Sequence, residues 1–445
     1  MINGVAITGM GIISAIGNNV AENYASLVAG NKGITRISQI ETIHKDEIMV
    51  GEIADTNPEL EKRLGFAENE VSRTVLIGCT AAAEAVSHAG ITDINDLRTG
   101  LISGTTVGGM DKSEQYFYDY FNRPEVRQHI TGLHAGDSTK KIAAHLGLEE
   151  SFVTTISTAC SSAANAIMLG ARMIRSGQLD RAIVGGTDCL SKFTINGFKT
   201  LLILSDTYSA PFDEERKGLN LGEAAAYLVL ESEALVKKRD ASVLGYVTGY
   251  GNANDAYHQT ASSEHGDGAV LAMEKALKTG GLRASDIDYV NAHGTATPNN
   301  DLSEGRALIR VFGEKGNANG NAGEGGTDGR GNAGRDKGDK HLHDKLRGLG
   351  KGPGNGSKFK KVPDFSSTKA FTGHTLAAAG GVEAVYSILA LQHNTIFPNL
   401  NYKTPMKEFD LSPVTEVTRR PLQHVLSNSF GFGGNCSTLI FSKEV

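Results

Sequence analysis

The sequence has few cysteines, no excess of basic charge and no long apolar run, and each absence excludes a class of protein. Its four cysteines, Cys79, Cys160, Cys189 and Cys436, have spacings that suit neither a disulfide framework nor a zinc site. A reducing compartment, and therefore the cytoplasm, is the expected location. The 44 basic against 50 acidic side chains argue against general nucleic-acid binding. No stretch approaches the ~18 consecutive apolar residues of a transmembrane helix, so no membrane span is expected.

The sequence does contain short apolar runs that alternate with alanine-rich stretches of helical spacing. The predicted strands include VAITGMGIIS, GLISGT, SFVTTIS, DRAIVGG, AAYLVLE, IDYVNAH and HVLSNSF, and the predicted helices include NAIMLGARMIRSG, AVLAMEKALKTGG and GGVEAVYSILALQ. Several of these strands are apolar throughout, which is typical of strands buried on both faces. The alternation predicts an α/β fold in which helices pack on mixed sheets.

Residues 314–361 depart from this pattern. The segment holds 14 of the 54 glycines of the chain and only seven apolar side chains, together with 11 basic and 6 acidic ones. So little apolar surface cannot offset the conformational entropy that ordering would cost. We therefore predict an inserted flexible loop.

Cys160 stands between a predicted strand and a long predicted helix, in the segment SFVTTISTACSSAANAIMLGARMIRSG. A residue at such a place projects from a tight turn, and the helix N-terminus favours the thiolate and a lowered thiol pKa. A buried, inert cysteine is the alternative, and the local pattern leaves both interpretations open. For Cys79 and Cys189 we expect burial in the core.

Two histidines have unusual settings. His293 ends the predicted strand IDYVNAH and precedes the turn-forming GTATP, and His374 lies in STKAFTGHTLAAAGG, close to Lys369. A structural hydrogen-bonding role is the alternative for each histidine. The final segment SNSFGFGGNCSTLIF is unusually glycine-rich for a strand pair, which indicates close approach of a ligand or of another backbone.

Taken together, these segments resemble the elongating β-ketoacyl-acyl-carrier-protein synthases of the thiolase superfamily. The most specific motifs, in the order that the family has them, are ISTACSSAANAI, PFDEERKGLNLGEAAAYLVLE, NAHGTATPNND, SSTKAFTGHTLAAAGGVEA and NSFGFGG. The resemblance covers nearly the whole chain outside residues 314–361. It implies a thiolase-like, five-layered α-β-α-β-α fold of two similar halves, which we place at residues 1–250 and 251–445. It also implies an obligate homodimer, acyl carrier protein as partner, and no cofactor or metal, because the carrier's phosphopantetheine holds the substrates.

The activity implied by the resemblance is a decarboxylating Claisen condensation in fatty-acid elongation. Cys160 would take an acyl group from its carrier, and the carbanion formed by decarboxylation of malonyl-carrier would attack that acyl thioester. The neutral imidazoles of His293 and His374 would donate to the malonyl thioester oxygen. The backbone N–H groups of Cys160 and Phe432 would form an oxyanion hole, and Lys369 matches the catalytic-site lysine of the family.

Further positions match supporting residues of the family. Glu383 matches the counter-charge of the lysine, and Asp301 and Glu304 match two acidic positions that support the site. Thr295 and Thr297 match two hydroxyls that hold the pantetheine amides. Phe430 and Phe432 match the gate of the acyl pocket, and Val107 and Met110 match the pocket wall that faces the dimer partner.

Three departures from the family pattern leave the pathway open. Cys436 stands where the family often has asparagine, GEAAA replaces the usual GEGA, and the loop at residues 205–211 is short and lacks a basic residue that often contacts the carrier. A specialised ketosynthase of a polyketide or polyene pathway is therefore the alternative. Residues 314–361, with net charge +5 against −11 for the rest of the chain, could attract an acidic carrier or be a loop without a role.

Other classes of protein fit less well. A non-condensing chain-length partner normally lacks the nucleophile, and a degradative thiolase lacks the HGTATP and GFGG motifs. The segments SGTTVGG and VGGTD do not have the GxGxxG spacing of a dinucleotide site, and we interpret both as ordinary turns.

Overall fold

The computed structural model describes residues 4–148, 151–313 and 362–445, and the insertion predicted at residues 314–361 lies outside the described residues. The strands are β1 Val5–Ser14, β2 Thr35–Arg36, β3 Met49–Gly51, β4 Thr99–Gly104, β5 Phe152–Ile156, β6 Arg181–Asp188, β7 Leu221–Gly222, β8 Ala224–Glu231, β9 Gly245–Asn254, β10 Tyr289–Asn291, β11 Asp364–Ser366, β12 Thr395–Ile396, β13 Thr418–Arg419, β14 His424–Gly431 and β15 Asn435–Ser442. The α-helices are α1 Val20–Ala29, α2 Asn57–Leu64, α3 Arg73–His88, α4 Met110–Tyr116, α5 Ala135–His145, α6 Ser162–Arg175, α7 Lys192–Thr200, α8 Glu233–Arg239, α9 Asp267–Gly280, α10 Pro298–Leu308, α11 Lys369–Thr372 and α12 Ala379–His393.

Ten strands form one mixed sheet in the order β11-β10-β14-β15-β9-β1-β8-β6-β4-β5. The short antiparallel pair β1–β9 joins two units of five strands each. In both units the strands lie in the same order relative to the chain: third, second, fourth, fifth, first. This repeat confirms the prediction of two similar halves. The boundary that we placed at residue 250 falls inside β9 and stays a proposal.

The helices complete five layers. Helix α3 packs on the first unit, α9 packs on the second, and α6 and α12 lie between the two. All residues of α12 from Ala379 to Leu391 are buried, as expected for a helix enclosed on every side. The α-β-α-β-α architecture expected from the resemblance is therefore confirmed.

Glycines in the first strand of each unit let the outer helix approach the sheet. A Cβ on Gly11 of β1 would lie 2.1 Å from the carbonyl oxygen of Ala81 in α3, and a Cβ on Gly251 of β9 would lie 2.1 Å from that of Ala272 in α9. Only glycine fits at such positions, because real Cβ atoms do not come so close to a backbone oxygen. The same packing device therefore occurs in both halves.

The predicted strands and helices are all present, with one correction. The segment VGGTD is not a turn, because β6 continues through its two glycines to Asp188. A Cβ on Gly185 would lie 2.0 Å from the carbonyl oxygen of Ala226 in β8, so the glycine serves close strand packing.

The topology brings the chemistry-bearing loops to one place. The parallel strands β5, β4 and β6 are neighbours in one unit, and β11, β10 and β14 are neighbours in the other. Ligands of α/β proteins bind at the carboxyl ends of such strands. The chain continues from β5 to Cys160, from β4 to Val107, from β11 to Lys369, from β10 to His293 and from β14 to Phe432. Among the described residues, no helix has both the length and the apolar character needed to cross a membrane.

Candidate active site

Cys160 lies in the turn between β5 and α6. The preceding residue, Ala159, has a left-handed backbone with φ of 52°, an uncommon conformation for a residue with a Cβ. The hydroxyls of Ser161 and Ser162 donate to the carbonyl oxygens of Thr158 and Ala159, at 2.7 and 2.6 Å respectively, and so close the turn. The sequence therefore folds into the strand–turn–helix arrangement that we predicted around Cys160.

The expected lowering of the thiol pKa is wrong for this structure. Burial raises the pKa of Cys160 to about 11, and the nearby Asp188 carboxyl adds to the increase. Lys369 and the backbone N–H groups of Phe432 and Cys160 act in the opposite direction but do not outweigh burial. The thiol is therefore protonated at neutral pH. The helix N-terminus alone could not reveal this, because desolvation comes from residues distant in sequence.

The loop after β14 closes over this turn. A Cβ on Gly431 would lie 2.7 Å from the carbonyl oxygen of Thr158 and 3.2 Å from the nitrogen of Cys160, so glycine permits the approach. The half-buried ring of Phe432 stacks on Phe198 of α7, with centroids 5.8 Å apart. The backbone N–H of Phe432 reaches the Cys160 thiol. From the glycines we predicted close approach of a ligand or of another backbone, and the approach of another backbone is confirmed.

The two histidines face each other. The ring centroids of His293 and His374 are 5.4 Å apart and the rings are nearly perpendicular, at 88°. The N–H of Leu376 donates to Nδ1 of His374 over 3.1 Å, so the ring proton of neutral His374 is on Nε2. Nδ1 of His293 has no hydrogen-bond partner among the described residues. Phe430 covers one side of His293, with ring centroids 5.5 Å apart.

Both imidazoles are neutral at physiological pH. Burial, followed by the charge of Lys369, lowers the pKa of His293 and of His374 well below the usual value. A neutral imidazole keeps one ring N–H, on Nε2 in His374, and that N–H can donate a hydrogen bond to an oxygen that gains negative charge. The pair is therefore suited to stabilise an enolate.

Lys369 and Glu383 form a buried ion pair between α11 and α12. Burial raises the pKa of Glu383, which opposes the effects of Lys369 and of the hydroxyl of Ser429 at 3.2 Å. Removing one partner of such a pair leaves an uncompensated buried charge, which is strongly destabilising. The structure thus brings together the lysine and counter-charge that the sequence suggested.

Glu304 holds the backbone that carries His293. Its carboxyl oxygens accept the N–H of His293 at 2.9 Å and that of Gly294 at 2.8 Å, and Asn428 donates to it at 3.1 Å. Burial raises the pKa of Glu304 to about 7. Asp301 accepts the N–H groups of Phe212 and Ala296. Both acidic residues bind backbone N–H groups, and their role in supporting the site stays a prediction.

The remaining predicted site residues lie in the loops and helix starts that follow β10 and β4. The hydroxyls of Thr295 and Thr297 are 2.9 Å apart, and Thr297 caps the N-terminus of α10. Val107 is half-buried in the loop after β4, and the half-buried Met110 begins α4. Their contacts with substrate stay predictions.

Sequence reasoning missed a polar cluster that holds the nucleophile turn to the closing loop. Oδ1 of Asn435 accepts hydrogen bonds from Ser161 at 2.8 Å, Asn165 at 2.9 Å and Asn252 at 2.8 Å. The signal in the sequence was Cys436, which stands where the family often has asparagine and directly follows Asn435. The consequence of that change depends on the distant Asn252. The described residues contain no group of three or more metal-ligating side chains.

Comparison with family models agrees with this geometry. The N-terminal domain of β-ketoacyl synthases matches residues 3–235, and the C-terminal domain of β-ketoacyl synthases matches residues 244–322 and 346–403. A 3-oxoacyl-[acyl-carrier-protein] synthase 2 from Staphylococcus aureus is 32% identical over 453 residues, which cover 99% of this chain and 98% of the relative. A protein of the same name from Coxiella burnetii is 31% identical, over 99% and 98%.

Solved structures show the same fold. The ishigamide ketosynthase/chain length factor superposes with a TM-score of 0.84 at 27% identity and covers 100% of both chains. A ketosynthase in complex with its chain length factor from Xenorhabdus doucetiae gives a TM-score of 0.77 at 28% identity, over 99% of this chain and 98% of the other.

Proposed function

The chain belongs to the β-ketoacyl synthase family of condensing acyltransferases, and from that premise we propose that it elongates fatty-acyl chains carried by acyl carrier protein. The observation that carries the proposal is the convergence on Cys160 of two backbone N–H groups, with two neutral histidines around Lys369. The names of the relatives, which are carrier-dependent synthases, support the choice of substrate.

The first step is transfer of the acyl group to Cys160. The thiol sulfur bonds to the acyl carbon, the bond from that carbon to the pantetheine sulfur breaks, and the thiol proton ends on the departing sulfur. The N–H groups of Phe432 and Cys160, which both reach the thiol, would hold the oxyanion. Because the product thioester is neutral, burial penalises it less than it penalises the thiolate.

The second step is decarboxylation of the malonyl thioester. The electrons of the broken carbon–carbon bond pass to the thioester oxygen, where the N–H groups of His293 and His374 stabilise the enolate. The enolate carbon then attacks the acyl carbonyl and expels the Cys160 thiolate, which takes up a proton. The raised pKa of Cys160 favours its return to the neutral thiol.

An assay with the purified full chain tests this proposal. Incubation with a saturated acyl-carrier should add one acyl mass to the protein at Cys160, and later addition of malonyl-carrier should release carbon dioxide and 3-oxoacyl-carrier. Acylation without a condensed product would contradict the proposal.

The second candidate is a specialised ketosynthase of a polyketide or polyene pathway. Its support is the likeness to the two solved structures described above, a ketosynthase/chain length factor and a ketosynthase in complex with its chain length factor. A panel of saturated, polyunsaturated and aromatic acyl-carriers distinguishes the candidates, since the specialised enzyme would condense saturated primers more slowly. A non-condensing partner role would predict no acylation at all.

Assembly and location are part of the same proposal. A homodimer is supported by β5, which ends the ten-stranded sheet and, among the described residues, has β4 as its only neighbouring strand, so its other edge could pair with a second chain. A cytoplasmic location is supported by the four free cysteines. Light scattering that gives the mass of one chain at micromolar concentration would contradict the dimer.

A further inference from the structure

The two segments that we interpreted as ordinary turns, SGTTVGG and VGGTD, meet at one buried carboxylate. Asp188 ends β6 and is completely buried. Thr105 and Thr106 follow β4, and their hydroxyls each donate to Asp188 over 2.5 Å. The N–H groups of Thr106, at 3.1 Å, and of Val107, at 3.3 Å, also donate to it. Asp188 therefore fixes the start of the loop that leads to the predicted acyl-pocket wall.

Asp188 also holds the turn after His374. Its Oδ2 accepts the N–H of Ala377 at 2.9 Å, in the 3₁₀ turn Leu376–Ala378. The neighbouring N–H of Leu376 is the group that fixes the tautomer of His374. Leu376 has φ of 53°, so this turn is held in a backbone conformation that leucine disfavours. Asp188 thus binds the residue that directly follows Leu376, whose N–H orients His374.

The hydrogen bonds of Asp188 use both oxygens of its carboxyl group as acceptors. Three of its donors are backbone N–H groups, of Thr106, Val107 and Ala377, which can only donate. A buried carboxyl is costly without such partners, and burial raises the pKa of Asp188. A single residue therefore ties together a pocket loop and a catalytic turn that belong to different halves of the fold.

We propose that Asp188 is a positioning residue that holds the acyl-pocket loop and the His374 turn in one arrangement. In this role it affects both the acyl chain length that the pocket accepts and the rate of malonyl decarboxylation. The inference rests on the proposed function, because both effects presuppose the condensing reaction.

Three full-length variants test the proposal beside the wild type. In Asp188→Asn, the amide nitrogen cannot accept, so at least one backbone N–H loses its partner. Thr106→Val removes a hydroxyl on the pocket side only. Glu231→Gln is the control, because Glu231 is a buried carboxylate at the other end of the β6–β8 pair, bonded to Arg181 and Arg239. The Glu231→Gln variant changes a buried carboxylate that contacts neither the loop of Val107 nor the turn after His374.

Two rates are measured for each variant: acylation by pantetheine thioesters of increasing chain length, by intact mass, and carbon dioxide release from malonyl-pantetheine. Asp188→Asn should lower decarboxylation about 10-fold or more, because small displacements of a catalytic group are costly, and should leave acylation by the shortest thioester within about threefold. Its preferred chain length should change. Thr106→Val should change the preferred chain length and keep decarboxylation within about twofold. Glu231→Gln should change neither the ratio of the rates nor the preference.

A third readout separates positioning from general destabilisation. The charge of Asp188 contributes to the high pKa of Cys160, so Asp188→Asn should move the pH profile of Cys160 alkylation to lower pH. Equal losses of both rates in Asp188→Asn, or the same split in Glu231→Gln, would overturn the inference. If Asp188→Asn does not fold, an unchanged chain-length preference in Thr106→Val overturns it and a changed one supports it. A wild type that neither acylates nor decarboxylates would instead refute the proposed function.

Discussion

The two halves of the sheet repeat one strand order but present different chemistry at equivalent places. The third strand of the first half leads through Cys160 into α6, and the third strand of the second half leads through Lys369 and His374 into α12. The second strands lead to the loop of Val107 in one half and to His293 in the other. The fold therefore supplies equivalent positions, and the side chain at each position decides which of the proposed roles it can take: nucleophile, pocket wall or hydrogen-bond donor.

Each third-strand turn also contains a non-glycine residue with a left-handed backbone. Ala159 precedes the nucleophile with φ of 52°, and Leu376 follows the histidine with φ of 53°. In the first turn this conformation aims a side chain, and in the second it aims an N–H at Nδ1 of His374. Such conformations persist where the surrounding structure determines them.

The largest effect is expected when the proposed nucleophile, Cys160, is replaced in the first half. Cys160→Ser should lower acyl-enzyme formation on the order of 10⁴-fold or more, because a serine hydroxyl is a far weaker nucleophile in this site. Intact mass after incubation with acyl-carrier measures the loss. Cys436→Ser, a buried cysteine of the second half, is the matched control and should still be acylated. An acyl group mapped to another cysteine in Cys160→Ser would refute the assignment.

Removing a donor from the second half should separate the two steps. His293→Ala and His374→Ala should each lower malonyl decarboxylation roughly 10²-fold, the usual cost of one donor at an oxyanion, and keep part of the acylation. Carbon dioxide release and intact mass report the two steps. His258→Ala, at an exposed histidine, is the control. Decarboxylation at the wild-type rate in both variants would exclude the histidines from this role.

The sequence predicts positions in this site better than it predicts electrostatics. Cys160 could be placed at a strand–turn–helix junction because the local pattern of apolar residues specifies that junction. The raised pKa of its thiol could not be predicted, because burial depends on the closing loop, more than 270 residues away along the chain. Strand β9 was also missed, since its glycines, which admit α9, hide the strand pattern.

Asp188 shows a further limit of sequence reasoning. Its motif and that of its partners are glycine-rich and turn-like, and neither alone indicates a contact. Only the sheet order, which makes β4 and β6 neighbours, brings the two segments together. Pairing between distant strands is a tertiary property that local propensity does not contain.

The lowered pKa of His293 should make the free energy of unfolding depend on pH. His293 is buried with a lowered pKa, so the unfolded chain binds a proton that the folded chain does not, below the usual histidine pKa near ~6.5. The free energy of unfolding should therefore fall with decreasing pH by about 1.4 kcal/mol per pH unit for this residue. In His293→Gln that contribution to the slope should disappear, whereas His258→Gln should keep it. Urea unfolding at pH 7.5, 6.0 and 5.0 measures the slopes, and equal slopes for the wild type and His293→Gln would contradict a neutral buried histidine.

The smallest effect concerns the backbone of the nucleophile turn. A left-handed conformation costs a non-glycine residue about 1–2 kcal/mol, and Ala159→Gly would remove that cost. Glycine also raises the conformational entropy of the unfolded chain, which lowers the free energy of unfolding by about 0.4–1 kcal/mol. The net gain in the free energy of unfolding should therefore be only about 0.5 kcal/mol. Ala25→Gly, at an exposed position inside α1, is the matched control and should lose about 1 kcal/mol, because there glycine only weakens a helix. Urea unfolding of both variants measures the change in the free energy of unfolding, which should be a gain for Ala159→Gly and a loss for Ala25→Gly. A loss at position 159 equal to that at position 25 would mean that Ala159 holds no strain, and that hydrogen bonds such as those of Ser161 and Ser162 fix the turn that carries Cys160.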